Sequence, residues 1–353
     1  MIMAKVSIAV SIYNVAQYIE RCARSLFEQT LEEMEYVFVD DESTDDSVDI
    51  LLRVLEEYPN RKEQTKLLRH DRNMGVAISK RDSMLAATGE YVLVVDSDDY
   101  IELNMAELLY NKAVEENADM VLCGLYLYKY DGSVGTMLKH TEEGVDSEQL
   151  RTEVINRVIT PSLSTKLIRR ELLDTSSMEW PLHGYAEDVA ISVQAAYYSK
   201  RIANLPMALY HYCYNPKSIC NNIDKEHLLK IYNDYKANAD IVFDLLRRNG
   251  VLEQYGQCAY HLAVHAKCAL LPIVGERKYR KMWFDTYPEM NKVIMWGSAD
   301  HHSRLREKIW YLSIWLGLYP RVRKKLIGKR LHLKSGWNWG AVTMERLYRG
   351  GTI

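Results

Sequence analysis

The 353-residue sequence has no glycine-rich phosphate loop. No GxGxxG follows its first apolar run and no GxxxxGK[ST] occurs anywhere, so dinucleotide-binding and P-loop readings fail on their own motifs. Its six cysteines, at 22, 123, 213, 220, 258 and 268, never form a CxxC pair. Zinc and dithiol sites therefore lack their signature, and free thiols in a reducing compartment are expected. No stretch reaches the roughly 18 uncharged apolar residues that a spanning helix needs. The opening MIMAKVSIAVSIYN lacks a cleavage-site pattern and reads as a first strand rather than a signal peptide. With 45 basic and 48 acidic residues the net charge is −3, which gives no global sign of nucleic-acid binding. There are no internal repeats and no low-complexity segments.

What is present is a regular alternation of strands and helices. Val6 to Ile12 is an almost unbroken apolar run and reads as a buried strand. Asn14 with Gln17 reads as a capping box for a helix carrying Val15, Ile19, Cys22 and Leu26 at helical spacing. Glu35 to Val39 is a second strand ending in Asp40 and Asp41, and Ser43 or Thr44 reads as the cap of the next helix. Lys66 to Leu68 reads as a third strand. A helix after Asn73-x-Gly75 runs to about Ala87, with Gly89 closing it. Such βαβ repetition within 100 residues predicts an α/β fold with a mainly parallel sheet flanked by helices.

The chain is organised around Gly89 to Tyr100, GEYVLVVDSDDY. Its strand, Tyr91 to Val95, delivers Asp96, Asp98 and Asp99 to a C-terminal sheet edge, where open α/β sheets build ligand sites. Asp96 and Asp98 lie two apart, so an extended backbone places both on one face. Two hard oxygen donors suit Mg²⁺ or Mn²⁺ shared with substrate phosphates. The plain alternative is an acidic surface turn. Further on, Met105 to Glu116 reads as a helix, Asp119 to Tyr130 as a strand and Gly132 to Gly144 as a polar loop. From about Asn222 long helical patterns take over.

These residues resemble the inverting family 2 glycosyltransferases of the GT-A fold. The matching pieces are VSIAVSIYNVAQYIERCARSLFEQT, VDDESTDDS, NMGVAISKRDSMLAATGEYVLVVDSDD, YAEDVAIS and LYHYCYNPKSI, in that order over residues 4 to 220. The resemblance implies a GT-A domain over 1–220 with a helical appendage over 221–353, and a nucleotide-sugar donor, usually a UDP-sugar. Ser11 and Tyr13 would line the nucleoside, and Asp40 or Asp41 would accept from the base. Asp98 would bind the metal, with Asp96 reaching the ribose or the metal. Ser218 would lie near the diphosphate, and Lys80 would keep a positive charge beside it. The catalytic base would be Asp188 of Glu187-Asp188, with Glu187 orienting the acceptor. His211 is a candidate third metal ligand, or a ring packed between two tyrosines. A bare helix-start acid is the alternative for Asp188.

Several positions depart from the family pattern. Ser11 stands where Pro is common, Glu42 where Gly follows the Asp pair, Ser79-Lys80-Arg81 where Ala-Arg-Asn is usual, and Ser83 where Gly is. Glu42 and the altered helix motif are the support for a second reading, an inactive glycosyltransferase-like scaffold or binding subunit. A sugar nucleotidyltransferase would require a Gly-rich loop at Ser11 to Val15, which is absent. The lack of a Gln-x-x-Arg-Trp motif argues against a processive synthase.

Arg304 to Lys334 carries ten Lys or Arg against one acid, Glu307, and its apolar centre holds Trp310, Tyr311, Trp315 and Tyr319. Aromatic and basic residues together suit an anionic membrane interface; the alternative is packing on the rest of the chain with solvated cations. The expectation is therefore a cytoplasmic enzyme, peripheral on the inner face of the plasma membrane. Its partners would be a nucleotide-sugar and a glycan or lipid-linked acceptor in surface polysaccharide synthesis, with no nucleic acid and with homo-oligomerisation left open.

Overall fold

The computed structural model describes residues 4–128, 133–138, 144–157, 160–173, 178–215, 224–296 and 305–319. The chain divides into two compact units, Met1–Ile155 with Ile159–Pro216, and Asn156–Val158 with Lys217–Ile353.

In the first unit, nine strands among the described residues form one sheet. They are β1 (Val6–Ile12), β2 (Met34–Asp40), β3 (Thr65–Arg69), β4 (Tyr91–Val94), β5 (Tyr100–Ile101), β6 (Met120–Tyr128), β7 (Val134–Leu138), β8 (Lys166–Arg169) and β9 (Ile202–Tyr212). The order is β3-β2-β1-β4-β8-β6-β9-β5, with β7 paired to β6. The β3-β2-β1-β4 half is parallel. Beyond it the pairing is mixed, because β8 runs antiparallel to both β4 and β6, and β5 to β9. Thus the sheet is parallel where the repeated crossover helices build it, and again where β6 pairs with β9. The flanking helices are α1 (Ile19–Phe27), α2 (Ser47–Glu56), α3 (Pro59–Lys62), α4 (Val76–Leu85), α5 (Met105–Glu116), α6 (Ser147–Ile155) and α7 (Glu187–Tyr198).

The apolar runs that mark strands in the sequence are the buried centre of this sheet. Every residue of β2 and β4 is buried, as are Ile8, Val10 and Ile12 of β1, as expected for strands covered on both faces. Because β1, β2 and β4 are parallel and in register, with Ile12 opposite Asp40 and Ala9 opposite Val94, their C-terminal ends meet at one edge.

Local details differ from the sequence reading where loops meet. Asn14 does not cap α1. It adopts φ 52°, a left-handed conformation that Asn tolerates, and its Oδ1 accepts from the Thr44 N–H at 2.8 Å across to the β2–α2 loop. Neither Ser43 nor Thr44 caps α2; the Ser43 hydroxyl instead accepts from the Asn14 N–H, so the two loops fasten each other. Gly89 is not a helix terminator, since α4 already ends at Leu85. A Cβ there would meet Ser7 Oγ at 2.7 Å and Ser7 N at 2.9 Å, and the Gly89 N–H donates to Ser7 Oγ. The absent side chain permits that approach. Finally, β7 lies inside the stretch read as a polar loop. Its Val134 and Met137 face solvent, so the strand leaves little apolar signature.

The second unit is helical: α8 (Lys225–Arg248), α9 (Gly256–Leu270), α10 (Arg277–Asp285), α11 (Glu289–Trp296) and α12 (Leu305–Trp315). Asp224 caps α8 by accepting from the His227 N–H at 2.9 Å. Tyr232, Leu270, Leu271, Trp283 and Ile314 form its core. Lys267 is buried there, donating to the carbonyls of Trp283 and Thr286.

Candidate active site

The sheet edge that collects β1, β2 and β4 also collects the chemistry. Asp96 follows β4, and Ser164 lies in the short turn before β8, the strand paired with β4. Ser164 Oγ donates to Asp96 Oδ2 at 3.2 Å. Lys80 reaches in from α4 and Glu187 and Asp188 from the first turn of α7, where the helix dipole favours acids.

Lys80 is the centre of this cluster. Its Nζ lies 2.9 Å from Asp188 Oδ1, 3.0 Å from Glu187 Oε1 and 3.2 Å from Asp96 Oδ1, and only 4% of the residue is exposed. Burial alone would pull its pKa down, but Asp188, Asp96 and Glu187 carry it well above the ordinary lysine value. Glu187 moves the other way: burial pushes its carboxyl up to about 7, against the pull of Lys80. Asp188 also accepts, through Oδ2, from the Leu163 N–H at 3.4 Å.

The three acids after β4 do different work. Asp99 is buried, and both its oxygens are used, Oδ1 by the Cys213 N–H at 2.7 Å and Oδ2 by the Tyr210 hydroxyl at 2.6 Å. It holds the loop. Asp98 takes the Asn215 amide on Oδ2 at 2.9 Å, while Arg21 donates to the Asp98 carbonyl oxygen at 3.0 Å. Burial, and then the neighbouring Asp96, push the Asp98 carboxyl above its usual range. Asp96 and Asp98 offer carboxylate oxygens, the donor type that a hard divalent cation takes, and the Lys80 ammonium touches Asp96 but not Asp98. Among the described residues no group of three His, Cys, Asp or Glu side chains comes together as a ligand set. Mg²⁺ or Mn²⁺ bound here would complete its shell with water and substrate oxygens, as these ions commonly do.

His211 does not join that pair, which corrects its reading as a metal ligand. Its Nε2 is 2.9 Å from Glu102 Oε1 and its Nδ1 3.0 Å from the Tyr128 hydroxyl. The ring is stacked between Tyr100 and Tyr126, at 4.1 and 4.9 Å. Both nitrogens are thus occupied by its packing environment, and β5–β9 pairing, which puts His211 opposite Tyr100, sets it there.

The structure separates Asp40 from Asp41. Asp41 accepts from the Met74 and Gly75 N–H groups at 2.7 and 2.8 Å and meets His70 Nδ1 at 2.7 Å. It fixes the turn into α4, where Gly75 sits at φ 91°. Asp40 accepts from the Ser43 N–H at 3.1 Å and lies at the end of β2. Ser11 is half-buried on β1, and Tyr13 stands 48% exposed just beyond it. Glu42 adopts φ 62°, which costs a Gly nothing, and its carboxylate accepts from the Asn73 N–H at 2.9 Å. Ser218 lies outside the described residues.

Sequence reasoning did not single out Ser164, Asn215, Arg21 or Lys166. Lys166 is fully buried, donates to the carbonyls of Thr160 and Ser162 at 2.6 Å each, and is drawn down to about 7 by burial, against Asp188. A lysine leading a short apolar strand after PSLST was the available signal. The other three have none at the level of spacing.

Comparison with known proteins now adds to this geometry. The description "Glycosyl transferase family 2" matches residues 7–176. The putative glycosyltransferase EpsH of Bacillus subtilis is 29% identical over 256 residues, 71% of each chain. The chain belongs to glycosyl transferase family 2. This glycosyltransferase is also 32% identical over 245 residues to a poly(ribitol-phosphate) beta-glucosyltransferase of Bacillus spizizenii, covering 67% of the chain but only 36% of that longer protein. The structure of Staphylococcus aureus TarS 1–349 in complex with UDP-GlcNAc superposes with a TM-score of 0.63 at 22% identity, over 93% of this chain and 92% of that one. The fold is therefore of the GT-A type, with a mixed central sheet and a helical C-terminal part.

Proposed function

We propose that this family 2 glycosyltransferase moves one sugar from a UDP-sugar to a glycan or lipid-linked acceptor in surface polysaccharide synthesis, with inversion at the anomeric carbon. The observation that carries the reading is the meeting, through Lys80, of Asp96 with the Glu187-Asp188 pair from a distant segment. An inverting transfer needs its base on the face opposite the nucleotide, so base and diphosphate-binding groups must come from different segments. The names of the relatives, with poly(ribitol phosphate) and a UDP-sugar among their substrates and ligands, support the donor and pathway.

In this reading Ser11 and Tyr13 flank the nucleoside. Asp40 is the acid left for a base N–H, because Asp41 is committed to the turn. Asp98 and Asp96 would hold Mn²⁺ or Mg²⁺, which when bound neutralises charge on the departing diphosphate. Asp188 takes the proton from the acceptor hydroxyl as that oxygen attacks. Lys80 orients the Asp188 carboxylate through Oδ1, leaving the more loosely held Oδ2 to receive the proton. Glu187, on the same lysine, lines the acceptor side.

Calorimetric titration with UDP, with and without Mn²⁺, tests the donor site on wild type and Asp98→Ala. Metal-dependent binding lost in the variant supports the reading; a preference for GDP or CDP would overturn the UDP assignment. The scaffold reading drew on Glu42 and on the altered Ser79-Lys80-Arg81 motif; the Glu42 carboxylate accepts from the Asn73 N–H in its loop. Transfer activity that disappears in Asp188→Ala would exclude it.

A further inference from the structure

The cationic run over 320–334, expected from sequence to meet a membrane, lies outside the described residues. Lys166, at the start of β8, is a fully buried cation that the transfer chemistry above does not use. Its ammonium donates to the main-chain carbonyls of Thr160 and Ser162 at 2.6 Å each. The carbonyl between them, that of Pro161, accepts from Ser192 Oγ at 2.6 Å. Three successive carbonyls of one turn are thus held by side chains, two from β8 and one from α7, the helix that also carries Asp188. Burying an ammonium costs free energy that an apolar side chain of similar size would not. What the ammonium adds, and an apolar side chain could not, is a fixed path for this turn.

That turn points two donors at the acids of the site. The Leu163 N–H faces Asp188 Oδ2 at 3.4 Å, and Ser164 Oγ donates to Asp96 Oδ2 at 3.2 Å. Lys80 holds the other oxygen of each, Oδ1. The two acids are therefore joined twice, once by Lys80 and once by the turn. We propose that Lys166 is a positioning residue of the transfer reaction, fixing the 160–165 turn so that Asp188 Oδ2 stays aimed at the acceptor hydroxyl. This rests on the reading of Asp188 as the base. The N–H contact at 3.4 Å is long for a hydrogen bond. It orients Oδ2 without tying it up, and its effect depends on where the turn lies. Displacing a catalytic group by about 1 Å can cost roughly 10²-fold in rate.

Steady-state kinetics of the full chain test it. The donor is the nucleotide-sugar that wild type turns over in a screen of UDP-, GDP- and CDP-linked sugars, with released nucleotide as the readout. Lys166→Met should lower kcat by roughly 10- to 10²-fold, with KM for the donor, affinity for the free nucleotide and circular dichroism unchanged. Because Lys166 acts through Asp188, adding Lys166→Met to Asp188→Asn should cause little further loss, as expected of coupled sites. Should Lys166→Met fail to fold, Ser192→Ala, which frees only the Pro161 carbonyl, is judged by the same criteria. Wild-type kcat in the variant, losses that multiply independently in the double variant, or a kcat loss that comes with lost nucleotide affinity, as a merely structural support would give, overturns the proposal. Wild-type turnover by Asp188→Asn fails the reading of Asp188 as base, and the proposal with it. Loss in Asp188→Asn beside wild-type kcat in Lys166→Met fails the proposal alone.

Discussion

Lys80 Nζ and Asp188 Oδ1 stand 2.9 Å apart, joined across 108 positions of sequence. The same ammonium also holds Glu187 and Asp96. One buried cation therefore sets the distance between the acid pair of α7 and the acids after β4.

Replacing Lys80 by Met is expected to leave three carboxylates facing one another without their shared cation. Removing one member of a buried ionic group costs about 3 kcal/mol or more, so the denaturation midpoint should fall clearly. Lys80→Arg should recover part of that stability but less of the transfer rate, because a planar fork cannot occupy the position of a point charge. Urea unfolding and transfer kinetics on both variants decide this; equal stability of Lys80→Met and wild type would remove Lys80 from the centre of the site.

For Asp188→Asn, the amide keeps the shape and loses the base. The transfer rate should drop by roughly 10²–10⁴ while affinity for UDP stays near that of wild type. A variant that transfers sugar at the wild-type rate would assign the base elsewhere.

Lys166 gives a pH dependence whose sign follows from its burial. Its folded pKa is about 7 against an ordinary value of 10.5. Between these values the folded amine is neutral while the unfolded one is charged, so unfolding takes up a proton. Stability should therefore rise with pH across that window, by at most about 1.4 kcal/mol per pH unit from this group, and the contribution is absent at higher pH. Denaturant titrations at several pH values, on wild type and Lys166→Met, should show a shallower slope in the variant.

Glu42→Gly should be tolerated. Gly relieves the φ of 62°, offsetting the lost bond to the Asn73 N–H, so stability should stay within about 1 kcal/mol of wild type. UDP affinity should be unchanged, since the Glu42 carboxylate is engaged by the Asn73 N–H. A large loss of UDP binding would show that Glu42 contacts the donor.

The sequence alone determined the strands that build the sheet edge. Their apolar runs are long, β-branched and buried on both faces, so pattern and burial coincide at Val6 to Ile12 and Tyr91 to Val94. It also determined where acids enter, because DSDD and Glu187-Asp188 sit where a strand ends and a helix begins. Spacing could not say which acid does what. Asp99 and Asp41 carry the same side chain as their neighbours, yet tertiary hydrogen bonds from Tyr210, Cys213, Met74 and Gly75 commit them to holding loops. By sequence His211 is either a ligand or a packed ring; in the sheet, Tyr100 of β5, Glu102 just after it, and Tyr126 and Tyr128 of β6 surround it. Asn14 looks like a cap until a second loop arrives beside it. A side chain's partners are set by distances between segments far apart in the chain, and only the folded sheet, which brought Lys80 to Asp188, fixes those distances.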